Sequence, residues 1–398
     1  MIITTKPRVA LVILSDLGAG GAHGYEIAVI SALINRSASS FDYLIFAPKK
    51  LMTATKNRFP NLEVCYYRSG LLTMFFLSLR NSLQGYKILK AIGLRHGGLE
   101  RTFSKHKISL AYFLSPNPLA LDLVDTPMIN TTWDLGHRDI PEFVEITGDR
   151  HFDERELFFQ RVLPRSFRVI VDTKKTSDHI QLFYGVQINR IIVGGLHPTK
   201  PRPTHDRITN PSPYLLYPAQ FWPHKRHVLL LKAFKIVLEK NPHLRLVLTG
   251  SDKGNLRHVI NVAKQLGISH AVDFKGFVET TELANLMADA ECIVFPSQLG
   301  PSNLPPLEAA MLGTPSLISN VHHDPVLNHP LIQVVKTQQP ESWAHEINNM
   351  LSKPKNDTSP MENQKSELEN LLIKAIEEFV EFRNEWSAEA RMTFKRID

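Results

Sequence analysis

The stretch SQLGPSNLPPLEAAMLGTP, residues 297–315, sets one carboxylate behind a polar loop that contains a glycine. A proline is tolerated in a first helical turn because its missing N–H is not needed there. Pro305 and Pro306 therefore mark a helix start, with Glu308 in the first turn and Ser297, Gly300, Ser302 and Asn303 in the loop before it. Free N–H groups around Ser302, Asn303 and Leu304 are then available to an anion, aided by the helix dipole. The plain alternative for Glu308 is ordinary complementation of that dipole.

Other loops invite the same question. YPAQFWPHKRH, residues 217–227, places Lys225 and Arg226 just before a helix. Lysine is a compact charge suited to a diphosphate, and arginine can bind one bidentately. The alternative is a solvated basic turn. SDLGAGGAHGYE, residues 15–26, carries Gly18, Gly20, Gly21 and Gly24 between an apolar run and a helical pattern. Glycines let several N–H groups converge on a phosphate, although the spacing is not a clean dinucleotide fingerprint. NTTWDLGHRDIPEF, residues 130–143, offers His137 as a base, with Asp134 and Asp139 to orient it. A lone loop histidine is more often structural. Residues 71–107 are apolar at first and then basic, with Arg80, Lys87, Lys90, Arg95, Arg101, Lys105 and Lys107 against the single acid Glu100. That pattern fits either a membrane-surface segment or a solvated helix face.

The elements that must hold these loops alternate between short apolar runs and amphipathic stretches, the signature of α/β units. Strands are expected near 8–14, 43–47, 108–114, 127–133, 167–172 and 190–195, with helices near 24–35 and 174–183. Residues 197–213 hold five prolines and almost no apolar side chain, so they read as a linker. The alternation then restarts, with strands at 214–217, 244–250, 272–276, 292–297 and 316–319 and helices between them. A polar break at 353–366 precedes a last helix with Leu368, Leu372, Ile376, Phe379 and Trp386 on one stripe. The expected organisation is a first domain over 1–196, the linker, a second domain over 214–352, and 353–398 as break and terminal helix. Two parallel sheets facing each other would make a cleft lined by the loops after their strands.

Composition narrows the class. Hydrophobic content of 43% and charged content of 21% fit a globular chain of two ordinary domains. A net charge of +7 favours anionic partners without choosing among them. Cys65 and Cys292 both lie in apolar runs and read as core residues of a reducing compartment. No run approaches the roughly 18 apolar residues of a spanning helix, and the expected location is cytoplasmic, with the inner membrane face as an option. There is no Asp-x-Asp pair, no Cys/His cluster at zinc spacing and no Walker A loop, so no metal site and no cofactor is expected. No nucleic-acid-binding signature is present.

Three segments in order, YPAQFWPHKRHVLLLKAF, FKGFVETTELANLMADAECIVFPS and NLPPLEAAMLGTP, resemble the retaining glycosyltransferases of family 4, also called group 1, which have the GT-B fold. The likeness is strong over 165–320 and extends more weakly to the glycine loop and to WDLGHRDIPEF. It implies two Rossmann-like domains facing across a cleft, with a C-terminal helix crossing back to the first. It implies a nucleotide-diphosphate sugar donor and a glycan or lipid-linked acceptor; the basic segment 71–107 adds peripheral membrane contact as an option. By the same likeness, Lys225 holds the donor diphosphate and Glu308 the ribose hydroxyls. The N–H groups around Ser302, Asn303 and Leu304 touch sugar or phosphate, Phe277 and Val278 present backbone groups to the base, and Gly20 and Gly21 close over the phosphates. Transfer would retain configuration without a metal or a carboxylate nucleophile, in cell-surface polysaccharide or lipopolysaccharide assembly.

The chain departs from the pattern at three places. The first Glu of the Glu-x7-Glu motif falls at Gly300, the usual arginine at Gln220, and a frequent catalytic histidine at Trp133. Arg226 is the candidate replacement for the lost cation, and His137 for the lost histidine. Gly300 and Trp133 also keep open a non-catalytic sugar-nucleotide- or glycan-binding relative. A sugar-nucleotide epimerase of similar fold is a further alternative.

Overall fold

The computed structural model describes residues 6–14, 21–37, 40–67, 75–79, 82–91, 94, 96–194, 200–205, 212–300, 304–321, 328–353, 360–361 and 367–384. It holds two parallel sheets, each in its own compact unit. The first unit comprises Met1–Trp133, Arg155–Gly195 and Ser366–Asp398; the second comprises Asp134–Glu154 and Leu196–Lys365.

The first sheet contains β1 (Arg8–Val12), β2 (Asp42–Ala47), β3 (Glu63–Tyr66), β4 (Ile108–Phe113), β5 (Met128–Thr132), β6 (Arg168–Val171) and β7 (Ile191–Val193), in the order β3-β2-β1-β4-β5-β6-β7. The register sets Val9 beside Tyr43 and Ile129 beside Arg168. Every residue of β4 is buried, as expected of a central parallel strand covered on both faces. Helix Glu367–Asn384 packs on this sheet through Leu368, Leu372, Ile376 and Phe379, all buried. Phe379 meets Phe167 edge-on at 5.3 Å, and Arg168 Nη2 donates to Glu378 at 2.7 Å. A Cβ on Gly194 would come within 2.4 Å of Leu368, so only glycine admits the helix there. Trp386, placed on the same stripe from sequence, lies outside the described residues.

The second sheet contains β8 (Tyr214–Pro218), β9 (Arg245–Thr249), β10 (Val272–Gly276), β11 (Cys292–Phe295), β12 (Ser316–Ser319) and β13 (Ile332–Val335), in the order β10-β9-β8-β11-β12-β13. Its core is apolar, with Tyr217, Phe221, Phe234, Leu246, Val294 and Trp343 each at most 1% exposed. Burial of side chains this size contributes about 1.5–3 kcal/mol each. Strand order reverses between β8 and β11. At such a switch point the loops leaving the two carboxyl ends diverge and open a ligand crevice. The loop after β8 carries Lys225 and the loop after β11 carries Ser297–Gly300, so topology brings these two loops together.

The observed units differ from the expected domains at two segments. Asp134–Glu154, expected with the first domain, groups with the second unit. There a Cβ on Gly136 would meet Leu299 at 2.7 Å, and Glu145 is bonded to His224. Residues through Lys365, expected with the terminal helix, also group with the second unit. Met361 is buried in that unit's core, and its N–H donates to the Ala310 carbonyl at 2.9 Å.

Candidate functional site

The loop after β8 turns through a short helix, Pro223–Lys225, before helix His227–Leu238. Arg226 joins the two with φ +57°, a left-handed conformation that costs a non-glycine residue about 1–2 kcal/mol. The turn is tied down on several sides. Tyr217 Oη donates to the Lys225 carbonyl at 2.7 Å. The Gln298 N–H donates to the His224 carbonyl at 2.9 Å. Lys225 Nζ then reaches the loop after β11, donating to Ser297 Oγ and the Leu299 carbonyl, each at 3.1 Å, over the Phe295 ring at 5.5 Å. Burial pushes the Lys225 pKa down to about 8, and the negative charge of Asp134 acts in the other direction. The ammonium thus sits where its charge is poorly compensated, the condition for attracting an anion.

Gly300 has φ +133°, a conformation a glutamate would adopt only under strain. The residue type there follows from the backbone and not only from a lost acid. Gln220 stands where the resemblance expects arginine, and its Oε1 accepts from Trp222 Nε1 at 3.0 Å. It therefore braces the aromatic wall of the turn.

Glu308 lies in helix Leu304–Met311. The sequence reading placed it in the first turn, but the helix begins one residue before the prolines, so Glu308 falls in the second turn. Its interaction with the helix dipole is correspondingly reduced, because that effect fades beyond the first turn. Burial pushes its carboxyl up to about 7, and among the described residues it has no hydrogen-bond or ion-pair partner. A half-buried acid in that state has unused acceptor capacity for a ligand's hydroxyls.

The remaining candidates separate. Leu304 opens the same helix as Glu308. Ser302 and Asn303 lie outside the described residues, as does Gly20. Gly21 is the first residue of helix Gly21–Ser37 in the first unit. Phe277 and Val278 follow β10, with Phe277 53% exposed and Val278 half-buried. Arg226 lines a groove with Lys232, Gln338 and Pro340 in which Lys225 has no part. His137 is fully buried in the second unit, with its ring 5.5 Å from Phe152. Asp134 accepts from the Gly136 N–H at 2.7 Å and acts electrostatically on Lys225 and His224. Trp133 packs edge-on against Tyr25 at 4.6 Å in the first unit.

Sequence reasoning missed Glu145. Its Oε1 accepts from the His224 backbone N–H at 2.9 Å and from His224 Nδ1 at 3.0 Å, with both side chains under 10% exposed. Burial and the adjacent Lys225 push the His224 pKa down to about 3, so a neutral imidazole donates to the carboxylate. The acid is 79 residues from its partner, and nothing in IPEFVEI distinguishes it from a solvated one. Glu145→Ala leaves two buried donors unpaired and is expected to cost about 1–3 kcal/mol in a denaturation midpoint. Glu145→Gln keeps an acceptor oxygen and should cost less. Equal losses in the two variants would show that the bond is not the source.

Residues 203–367, which include Lys225 and Glu308, match the family model of the glycosyl transferases group 1. An uncharacterized glycosyltransferase of Methanocaldococcus jannaschii is 33% identical over 131 residues, covering 33% of this chain and 29% of that protein. A D-inositol 3-phosphate glycosyltransferase of Rhodococcus jostii is 26% identical over 218 residues, covering 50% of this chain and 48% of that protein. The chain thus spans about half or less of the length of these curated relatives. Among solved structures, Anabaena HepE in complex with UDP and glucose aligns with a TM-score of 0.62 at 13% identity, over 95% of this chain and 99% of that one. WaaG, a glycosyltransferase involved in lipopolysaccharide biosynthesis, aligns with a TM-score of 0.61 at 14% identity, over 87% and 90%. The fold is GT-B, with two Rossmann-like parallel-sheet domains.

Proposed function

We propose that the chain is a retaining glycosyltransferase of family 4. It moves a sugar from a nucleotide-diphosphate donor to a hydroxyl of a glycan or lipid-linked acceptor, releasing the nucleoside diphosphate and a proton. The observation that carries this reading is the pairing of Lys225 with the loop after β11, beside a helix whose Glu308 has no hydrogen-bond or ion-pair partner among the described residues, all inside the matched region.

In this reading Lys225 neutralises the charge that develops on the departing diphosphate, the term that usually dominates such catalysis. Glu308 accepts from the ribose hydroxyls. Backbone N–H groups at Ser302, Asn303 and Leu304 contact sugar or phosphate, those at Phe277 and Val278 meet the base, and Gly20 and Gly21 approach the phosphates. Arg226 adds positive field at the turn. His137, fully buried, serves as a packing residue in this reading. UDP is the first donor base to test, because it is the nucleotide bound in HepE. The basic stretch 71–107, with Phe75 at 68% and Ile88 at 56% exposure, is proposed to face a membrane-borne acceptor in cell-surface polysaccharide or lipopolysaccharide assembly. No helix among the described residues is long and apolar enough to cross a membrane.

The test is a thermal-shift series with UDP, GDP and ADP, followed by donor turnover on glycan and lipid-linked acceptors. Bound nucleotide raises the melting temperature by mass action. One nucleotide should give a shift that Lys225→Met abolishes. Nucleotide binding without transfer to any acceptor would instead support a non-catalytic binding protein, and no shift with any nucleotide would sink the donor site.

A further inference from the structure

The sequence holds no Cys/His cluster at zinc spacing, and none was expected to form. The fold nevertheless assembles one cluster of metal-ligating types among the described residues, Glu63, Cys65 and His106. It lies in the first unit, with Glu63 and Cys65 outside every segment assigned above and His106 near the end of the basic stretch 71–107. We propose that these three side chains form a site for a single divalent cation of the zinc class, which ties the edge strand β3 to the turn before β4.

Residues two apart on a strand share a face, so Glu63 and Cys65 project together from β3. His106 caps helix Gly98–Lys105 and is separated from β4 only by Lys107. Its ring packs edge-on against Phe46 at 5.7 Å, and its carbonyl accepts from Arg8 Nη1 at 3.1 Å, so both ring and backbone are held. Three distances result: Cys65 Sγ to Glu63 Oε1 at 3.5 Å, Cys65 Sγ to His106 Nδ1 at 3.9 Å, and His106 Nδ1 to Glu63 Oε1 at 3.7 Å. A tetrahedral zinc with ordinary bond lengths to sulfur, nitrogen and oxygen separates its ligand atoms by about 3.4–3.6 Å. The observed triangle needs to contract by only a few tenths of an ångström.

The ligand types favour zinc over harder cations. A thiolate and an imidazole select zinc-like metals, whereas calcium and magnesium prefer all-oxygen sets. Cys65 is buried, while the Glu63 side chain is 58% and the His106 side chain 24% exposed. The open side leaves room for water as fourth ligand. Two cations, Arg8 and Lys56, act on Cys65 and would oppose a second positive charge. Arg8 is paired with Asp42 at 2.9 Å, which lessens its opposition, and both cations stabilise a thiolate. Burial, then Glu63, pushes the free thiol up to about 11, so metal binding must displace its proton: one S–H bond is lost, one S–metal bond forms, and one proton is released. No redox change is involved. Both Glu63, first in β3, and His106, just before β4, sit at the amino ends of their strands. The site therefore serves structure at the edge opposite the loops that follow those strands.

The full chain is stripped with chelator and titrated with zinc and separately with cobalt. The expected result is one tightly held metal per chain and a thiolate-to-cobalt absorption band that Cys65→Ser removes. Glu63→Ala and His106→Gln each remove a direct ligand and should weaken zinc binding by at least the roughly 10- to 100-fold that loss of an outer-shell partner costs. At one zinc concentration the rise in melting temperature should be largest for the parent chain and smaller for each of the three variants. Should Cys65→Ser fail to fold, the exposed Glu63 still carries the test. Absence of the cobalt band, or zinc retained equally by Glu63→Ala and His106→Gln, would overturn the site. The nucleotide shift is read in parallel, so failure here is distinct from failure of the donor reading.

Discussion

Replacing Lys225 with methionine is expected to lower kcat/KM for the donor by about 10²–10³, equivalent to roughly 2.7–4 kcal/mol of lost transition-state stabilisation. The ammonium is held by two acceptors, Ser297 Oγ and the Leu299 carbonyl, neither of which carries a full charge. Its position is therefore set before a ligand arrives, and its charge remains available to one. Burial has already pushed its pKa down to about 8. The protonated form binds a diphosphate, so the lysine's own contribution to donor affinity should be constant below pH 8 and fall about tenfold per unit above it. Lys225→Arg tests the same point. Guanidinium does not lose its proton in this range, so the alkaline fall should vanish even where the rate is reduced by a poorer fit. An unchanged alkaline limb in Lys225→Arg would assign it to another group.

Much of the scaffold was legible in the sequence because central parallel strands are buried on both faces. RVALV, ISLAYF, YLLYP and CIVF each read as a mainly apolar run, and each lies inside one of the two sheets. The edge strand β3 was read only as an apolar run around Cys65 and not placed among the strands, since EVCY is four residues long with two exposed ends. IQVV of β13, also only four residues long and at a sheet edge, was missed as well. Helix Pro340–Ser352 did carry a signal that went unread: a proline at its start, with Trp343, Ala344 and Ile347 at helical spacing. Lys225 was legible because its aromatic and proline neighbours mark a shaped turn. Glu145 and the Glu63–Cys65–His106 triangle were not, because their partners come from distant segments, which only topology brings together. The φ of Gly300 is likewise a property of the loop. From composition alone the missing acid and the required glycine look identical.

Glu308→Gln is expected to act in opposite directions on stability and on donor binding. Burial holds the carboxyl near 7, against an ordinary 4.5. Between those values the folded chain holds the proton and the unfolded chain releases it, so this group's contribution to stability falls as pH rises from 4.5 to 7. Above pH 7 the full penalty of the buried charge is present; below 4.5 there is none. Glutamine carries no charge at any pH, so the variant should melt higher than the parent at pH 8, by an amount on the order of 1–2 kcal/mol after discounting for partial exposure. That gain should disappear by pH 4.5. Function runs the other way. The ionised carboxylate is the stronger acceptor for ribose hydroxyls, and hydrogen bonds to a charged group contribute about 1.5–3 kcal/mol, so the donor KM should rise about 10- to 100-fold with kcat less affected. In the parent chain donor binding should also weaken as pH falls through 7. Combined with the Lys225 limb near 8, kcat/KM should follow a narrow bell with its maximum between the two. Glu308→Gln should lose the acidic limb and keep the alkaline one. A melting temperature that drops at pH 8 would mean that the carboxylate already has a stabilising partner and is not held in reserve for a ligand.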